Sequence, residues 1–155
     1  MRSRPVSLKS KAIGLLARRE YARSELEQRL LAKGAAREEL HPLLDELIAE
    51  GYLSDARYAR AVAAQKQRGY SRRRISEALK ARGIARVDID AALEATEVDD
   101  AAALRALWQR RFGRVPADER DKARQVRFLQ SRGFALSAIL KLFREAAAGE
   151  LGDPV

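Results

Sequence analysis

A chain of 155 residues with 31 Lys and Arg against 22 Asp and Glu carries a formal charge of +9, a size that suits one ordinary domain or a short array of small repeats. It contains no Cys, which excludes disulfides, thiolate chemistry and Cys-based zinc sites. Hydrophobic residues make up 46% but aromatics only 6%, and Ala is abundant, so the composition favours helices packed at close range over a large aromatic core.

In chain order, residues 1–7 read as a flexible basic N-terminus. No apolar run approaches the ~18 residues of a membrane span, and the first ten residues lack a signal-peptide core, so a soluble cytoplasmic protein is expected. Residues 8–53 then predict helices over Leu8–Arg18, Arg23–Lys33 and about Arg37–Glu50. Pro42 falls inside the third of these and removes a hydrogen bond unless that helix starts later, near His41. Residues 54–98 predict helices over Asp55–Arg68, Arg72–Arg82 and about Arg86–Ala95. Residues 99–149 predict Asp100–Arg111, about Ala117–Ser131 and Ala135–Ala147, and residues 150–155 read as a flexible tail. Apolar spacings of three and four support the assignments, as in Leu26, Leu30 and Leu31 or Leu104, Leu107 and Trp108. Gly34, Gly51, Gly83 and Gly133 stand where a left-handed residue would end a helix. Tyr21 and Tyr70 lie five residues before Leu26 and Ile75, the spacing of a hydrophobic staple; Ser71 is a good N-cap and Ala22 a poorer one.

The three segments repeat one another. The stretch Tyr21 to Gly34 lies over Tyr70 to Gly83 without a gap at an offset of 49, and Leu129 to Gly133 matches Leu79 to Gly83 at an offset of 50. Leu40, Ile89 and Ile139 recur after the glycines, followed by Leu44, Leu93 and Phe143. Ser54-Asp55 and Asp99-Asp100 each open an Ala-rich helix, and an insertion around Gly113 to Asp118 restores the register. The predicted fold is all-α, with three tandem three-helix repeats. A unit of about fifty residues buries only part of its apolar face alone, so stacked units would form an elongated array that can curve.

Catalytic constellations are missing: the chain has no Gly-rich phosphate loop, no G-x-S-x-G elbow and no H-E-x-x-H. The single His41 cannot by itself build an imidazole metal site and reads as structural. Neither an enzyme nor a cofactor is expected. The basic residues, in contrast, recur at one corner of every repeat. The net charge rises from +2 over residues 1–53 to +4 over 54–98 and +5 over 99–149. The corners are Arg18, Arg19 and Arg23; then Lys66, Arg68, Arg72, Arg73 and Arg74; then Arg110, Arg111 and Arg114, followed by Arg120, Lys122 and Arg124. Helix C-termini attract cations, but three consecutive arginines at a helix start oppose the dipole, so Arg72–Arg74 read as a partner contact. Tyr21, Tyr70 and Phe112 lie beside the corners, in core or staple positions that also leave base stacking conceivable. The third helices of the first two repeats are acidic, which speaks against their entering a DNA groove and leaves backbone-directed contact through the basic corners.

Gly51-Tyr52-Leu53-Ser54-Asp55, Arg57-Tyr58-Ala59, Arg68-Gly69-Tyr70-Ser71, Ile75 and Leu79 through Ile84 resemble the RecX family, bacterial regulators of the RecA recombinase. The resemblance runs from about Leu8 to Ala147 and includes Arg132-Gly133-Phe134. It departs from the family at Ala22, where Ser is common, and at Pro42. It implies three tandem three-helix repeats, no catalysis and no cofactor. As partners it implies RecA and the RecA–DNA filament, bound along the filament groove with more than one protomer contacted. The expected outcome is modulation, in most members inhibition, of RecA ATPase, filament growth and strand exchange in recombination and DNA repair. Lys66, Arg68, Arg72, Arg73, Arg74, Arg110, Arg111 and Arg114 are the expected partner-binding residues, with Arg18, Arg19 and Arg23 as further basic contacts. Direct DNA contact is open, no membrane is expected, and a monomer suffices. The rival reading is a stand-alone, sequence-tolerant nucleic-acid-binding protein that uses the same corners; a passive adaptor for another helical assembly is the third.

Overall fold

The computed structural model describes residues 6–97 and 99–151, so the expected N-terminal and C-terminal tails lie largely outside the described residues. Among the described residues nine α-helices form: α1 (Leu8–Leu16), α2 (Arg23–Ala32), α3 (Arg37–Ala49), α4 (Asp55–Lys66), α5 (Arg72–Ala81), α6 (Arg86–Glu94), α7 (Asp100–Arg111), α8 (Glu119–Ser131) and α9 (Leu136–Ala147). The fold is all-α, as the periodicity predicts. None of these helices is long and apolar enough to cross a membrane.

One helix start differs from its predicted place for a physical reason, and one predicted defect is accommodated. Helix α8 begins two residues late because Asp118 caps it, its carboxylate accepting from the Asp121 amide at 2.7 Å. Helix α3 starts at Arg37, as predicted, and runs through Pro42. Pro42 is exposed, and the forfeited bond would have gone to the carbonyl four residues back, near the helix start.

The chain divides into two compact units, Met1–Val62 with Ala78–Ala92, and Ala63–Glu77 with Leu93–Val155. Helices α4, α5 and α6 each contribute one portion to either unit. In the first unit α2 packs on α1 and α3 around Leu15, Tyr21, Leu26, Leu30, Leu40, Leu44 and Leu47. In the second, α9 packs on α7 and α8 around Leu104, Leu107, Trp108, Leu129, Phe134, Ile139 and Phe143. Corresponding positions do corresponding work: Leu30, Leu79 and Leu129 are all buried, as are Leu40, Ile89 and Ile139. One position breaks the pattern. Gln125 stands where Leu26 and Ile75 stand elsewhere, and it is completely buried. Its Oε1 accepts from Trp108 Nε1 at 2.9 Å, which satisfies a buried donor that a leucine would leave bare.

Helix starts are secured across the chain. Ala22 has no side-chain acceptor, and the Arg23 amide that opens α2 donates instead to Asp55 Oδ1 at 2.8 Å. The Arg72 amide that opens α5 donates to Asp100 Oδ1, also at 2.8 Å, while Ser71 Oγ accepts from the Arg74 amide. Asp55 and Asp100 are themselves the first residues of α4 and α7, so the first helix of one repeat caps the second helix of the repeat before it.

Candidate functional site

The eight residues first expected to contact a partner, Lys66, Arg68, Arg72–Arg74, Arg110, Arg111 and Arg114, all belong to the second unit. Arg72 is turned inward: its guanidinium donates to Thr96 Oγ1 at 2.7 Å and its amide is capped by Asp100. Arg73 pairs with Glu77 at 2.9 Å and reaches the Gly133 carbonyl at 3.4 Å. The three arginines that oppose the α5 dipole are thus partly answered within the fold, by Asp100 at the helix start and by Glu77 one turn on. Arg68 and Arg74 are exposed and make no ion pair among the described residues.

Lys66 and Arg111 lie over aromatic rings, together with Arg124 and Arg132. Lys66 Nζ lies 5.0 Å from the Tyr70 ring centroid, and the Arg132 guanidinium lies 4.6 Å from the same ring. Arg132 also lies 5.1 Å from the Phe128 ring, and Arg111 lies 5.2 Å from Phe128 and 5.7 Å from Phe112. Arg124 lies 5.6 Å from Phe112, and Phe112 meets Phe128 edge to face at 5.6 Å. The result is a ladder of alternating cations and rings: Lys66, Tyr70, Arg132, Phe128, Arg111, Phe112, Arg124. Each step falls within the ~6 Å reach of a cation–π contact, worth about 0.5–1 kcal/mol where exposed.

Local structure sets the ladder. Arg124, Phe128 and Arg132 repeat every four residues along α8 and its C-cap, so they share one helix face. Arg111 ends α7 and Phe112 is its C-cap, while Lys66 ends α4 and Tyr70 follows in the connection to α5. Gly69 lies beside two arginine side chains: a Cβ there would be in ordinary contact with Arg132 Nη1 at 3.5 Å and Arg110 Nη2 at 3.8 Å. Two guanidiniums therefore meet over Gly69, with the Gly69 carbonyl accepting from Arg132 at 3.5 Å. Gly133 serves the same region from below. Its φ of 95° ends α8, and a side chain there would collide with Ser71 Oγ and Arg74 Cβ. The Ser71 amide donates to the Arg132 carbonyl at 2.9 Å, fixing the C-cap that carries the central arginine.

Among the described residues, Lys66, Arg110, Arg111 and Arg132 have no carboxylate partner, and the rings beside them are only partly buried. Such a surface offers flat apolar faces rimmed by unneutralised cations, suited to an acidic protein surface or to a phosphodiester strand.

The corner of the first unit is different. Arg19 makes a two-pronged contact with Glu25 at 3.0 and 3.2 Å and lies 3.6 Å over the Tyr21 ring. The Glu25 carboxylate holds the Arg19 guanidinium protonated even more firmly than usual. Arg23 pairs with Asp45 at 2.8 Å, and Arg18 alone is exposed without an ion pair among the described residues. Tyr21 is buried in the core, as its staple position predicts.

Arg132 and Phe128 are the ladder residues that the sequence pattern does not single out. Arg132 reads there as part of a helix-terminating Arg-Gly pair. The available signal was the four-residue recurrence of Arg124, Phe128 and Arg132.

Two family models match the chain: the second three-helix domain of RecX over residues 54–93 and the third three-helix domain of RecX over residues 97–143. A "Regulatory protein RecX" of Pseudomonas entomophila (strain L48) is 46% identical over 140 residues, covering 89% of this chain and 90% of that protein. One of Chromobacterium violaceum is 42% identical over 148 residues, covering 95% and 93%. The crystal structure of RecX from Lactobacillus salivarius superposes with a TM-score of 0.67 at 17% identity, covering 91% of this chain and 95% of that one, a likeness of fold. With identity above forty per cent across nearly the whole length and two of its three-helix domains matched directly, the chain belongs to the RecX family of regulatory proteins.

Proposed function

We propose that this chain binds RecA and its nucleoprotein filament and restrains RecA ATPase, filament growth and strand exchange in recombination and DNA repair. The segments 8–53, 54–98 and 99–149 act as three successive three-helix docking units, the chain works as a monomer in the cytoplasm, and no catalysis is involved. Family membership supports the partner; the observation that carries the binding surface is the ladder of cations on aromatic faces from Lys66 to Arg124, in which Lys66, Arg111 and Arg132 have no carboxylate partner among the described residues. Cations without internal partners speed encounter with an acidic surface and are free to pair across the interface, while the rings supply area that is desolvated on docking. Arg68, Arg74 and Arg110 extend this surface; Arg72 supports it by holding the start of α5.

The test is the ATPase of RecA on single-stranded DNA with the protein added. Wild type should lower the steady-state rate, and the variant R111A/R132A, folded by circular dichroism, should need about ten times more protein for the same effect. Unchanged potency of that variant would remove the ladder from the interface. A second reading, direct binding of single-stranded nucleic acid, is favoured by the same rings, since bases stack on such faces. Titrating bare and RecA-coated DNA side by side separates the two: tighter binding to the filament supports the first reading, and equal binding supports the second.

A further inference from the structure

Beside the ladder, the connection from α7 to α8 and the start of α8 enclose a concavity of about 460 Å3, lined by Arg114, Arg120, Arg124 and Arg127 together with Asp118 and Asp121. Its volume falls in the range of about 300–1,000 Å3 typical of small-molecule sites. Arg120, Arg124 and Arg127 follow the i, i+4, i+7 spacing, which puts them on one face of α8 at distances where like charges oppose helix formation.

The two carboxylates offset two of the four positive charges, leaving the lining at +2, and their oxygens are engaged within the fold. Asp118 accepts from the Asp121 amide at 2.7 Å. Asp121 accepts from the Ala117 amide at 3.0 Å, from Gln125 Nε2 at 3.4 Å and from Arg124 at 2.8 Å. The Arg124 guanidinium, with the Ala117 amide second, holds the Asp121 carboxyl below the usual range. One guanidinium is thereby committed, and the side chains of Arg114, Arg120 and Arg127 make no ion pair or hydrogen bond among the described residues.

We propose that this concavity binds a small oligophosphate, a ligand with two or more linked phosphate groups. Three guanidiniums without an ion pair stand around one depression whose lining carries a net +2, a charge that attracts such a chain, and each planar fork can hold phosphate oxygens in pairs. The space exceeds the needs of a single phosphate. No aromatic ring lines it, so recognition falls on the phosphates and not on a base.

The probe is inorganic tripolyphosphate, added to the isolated full chain with ionic strength held constant by chloride. Ligand binding to the folded state raises the melting temperature, the stabilisation growing as RT ln(1 + L/Kd) with L the free ligand concentration. The expected result is a rise with tripolyphosphate that follows this logarithmic dependence and that orthophosphate does not reproduce, with the affinity weakened at least about tenfold in R120A/R127A. A charge-matched control, R37A/R86A, removes two exposed arginines of the first unit and should change the affinity less than about twofold. If R120A/R127A lowers the basal melting temperature, R120Q/R127Q, read by isothermal titration, gives the same comparison without relying on a melt. The proposal is overturned by no rise above the ionic-strength control, by equal binding in R120A/R127A, or by an equal loss in R37A/R86A. It is also overturned if a single-stranded oligonucleotide at the same phosphate concentration gives the same effect, since the surface then reads a nucleic-acid backbone.

Discussion

At the scale of single residues, the buried Gln125 shows how one substitution of a repeat is absorbed by another. Trp108 brings a donor into the core of the second unit, and Gln125 exists there to accept from it, at 2.9 Å and out of reach of water. Replacing Gln125 by Leu restores the aliphatic side chain found at the corresponding positions but leaves the indole N–H unpaired, which should cost about 1–3 kcal/mol in urea denaturation. Adding Trp108→Phe should recover a good part of that loss, because both halves of the pair are then apolar; a strictly additive double variant would contradict this account. Asp121 gives a pH signature. Its carboxyl lies below the usual range because the Arg124 guanidinium and the Ala117 amide favour the charged form. The stability it contributes is therefore fully present above the ordinary Asp range near pH ~4 and is lost as the pH falls through the lowered value. Asp121→Asn should be less stable than wild type at pH 7, and the difference should close under strong acid, in melts recorded from pH 7 to pH 2.

At the scale of the helices, the sequence pattern is most legible where a single side chain decides. Glycine at the end of α2, α3, α5 and α8 predicts the left-handed residue found there, and Ser71 predicts its own cap. What the pattern does not carry is any contact whose partner lies far along the chain. Ala22 is a poor cap on its own terms, and the acceptor that replaces it, Asp55, stands 32 residues away. The cation–aromatic ladder is hidden for the same reason: it draws on the end of α4, the end of α7 and one face of α8, and no local spacing links the three. Two substitutions probe these long-range joints. Asp100→Ala removes the acceptor for the Arg72 amide and should cost about 1 kcal/mol, the usual value of a helix cap, measured by urea denaturation. Gly133→Ala should cost more than about 1 kcal/mol, since an L-residue at that positive φ is strained and its Cβ also meets Ser71 and Arg74. Because Gly133 sits beneath the C-cap arginine of the ladder, that variant should also weaken filament binding, which Asp100→Ala should do only through Arg72.

At the scale of the whole molecule, net charge alone does not say which surface meets a partner. The unit formed by Met1–Val62 and Ala78–Ala92 carries about as much excess as the other, +4 against +5. The difference lies in how the charge is spent. Arg19 and Arg23 are held by Glu25 and Asp45, and Arg19 covers Tyr21, so two of the three cations of that corner are satisfied within its own fold. Lys66, Arg110, Arg111 and Arg132 have no carboxylate among the described residues, and their cation–ring contacts leave the charge outward and available. An internal ion pair must be broken before either member can serve a partner, and the gain in the new contact is offset by the loss of the old one. Removing the first corner with R18A/R19A/R23A should therefore reduce filament affinity less than about threefold, while K66A/R111A/R132A, with the same change in net charge, should reduce it more than about tenfold. The second variant should also flatten the dependence of log affinity on log salt, because fewer counterions are exchanged on binding; the first should leave that slope close to wild type. Binding of all three proteins to RecA-coated DNA across a salt series measures both quantities. Equal losses from the two triple variants would mean that filament affinity follows total charge, and that the pairing within each corner has no influence on where the partner docks.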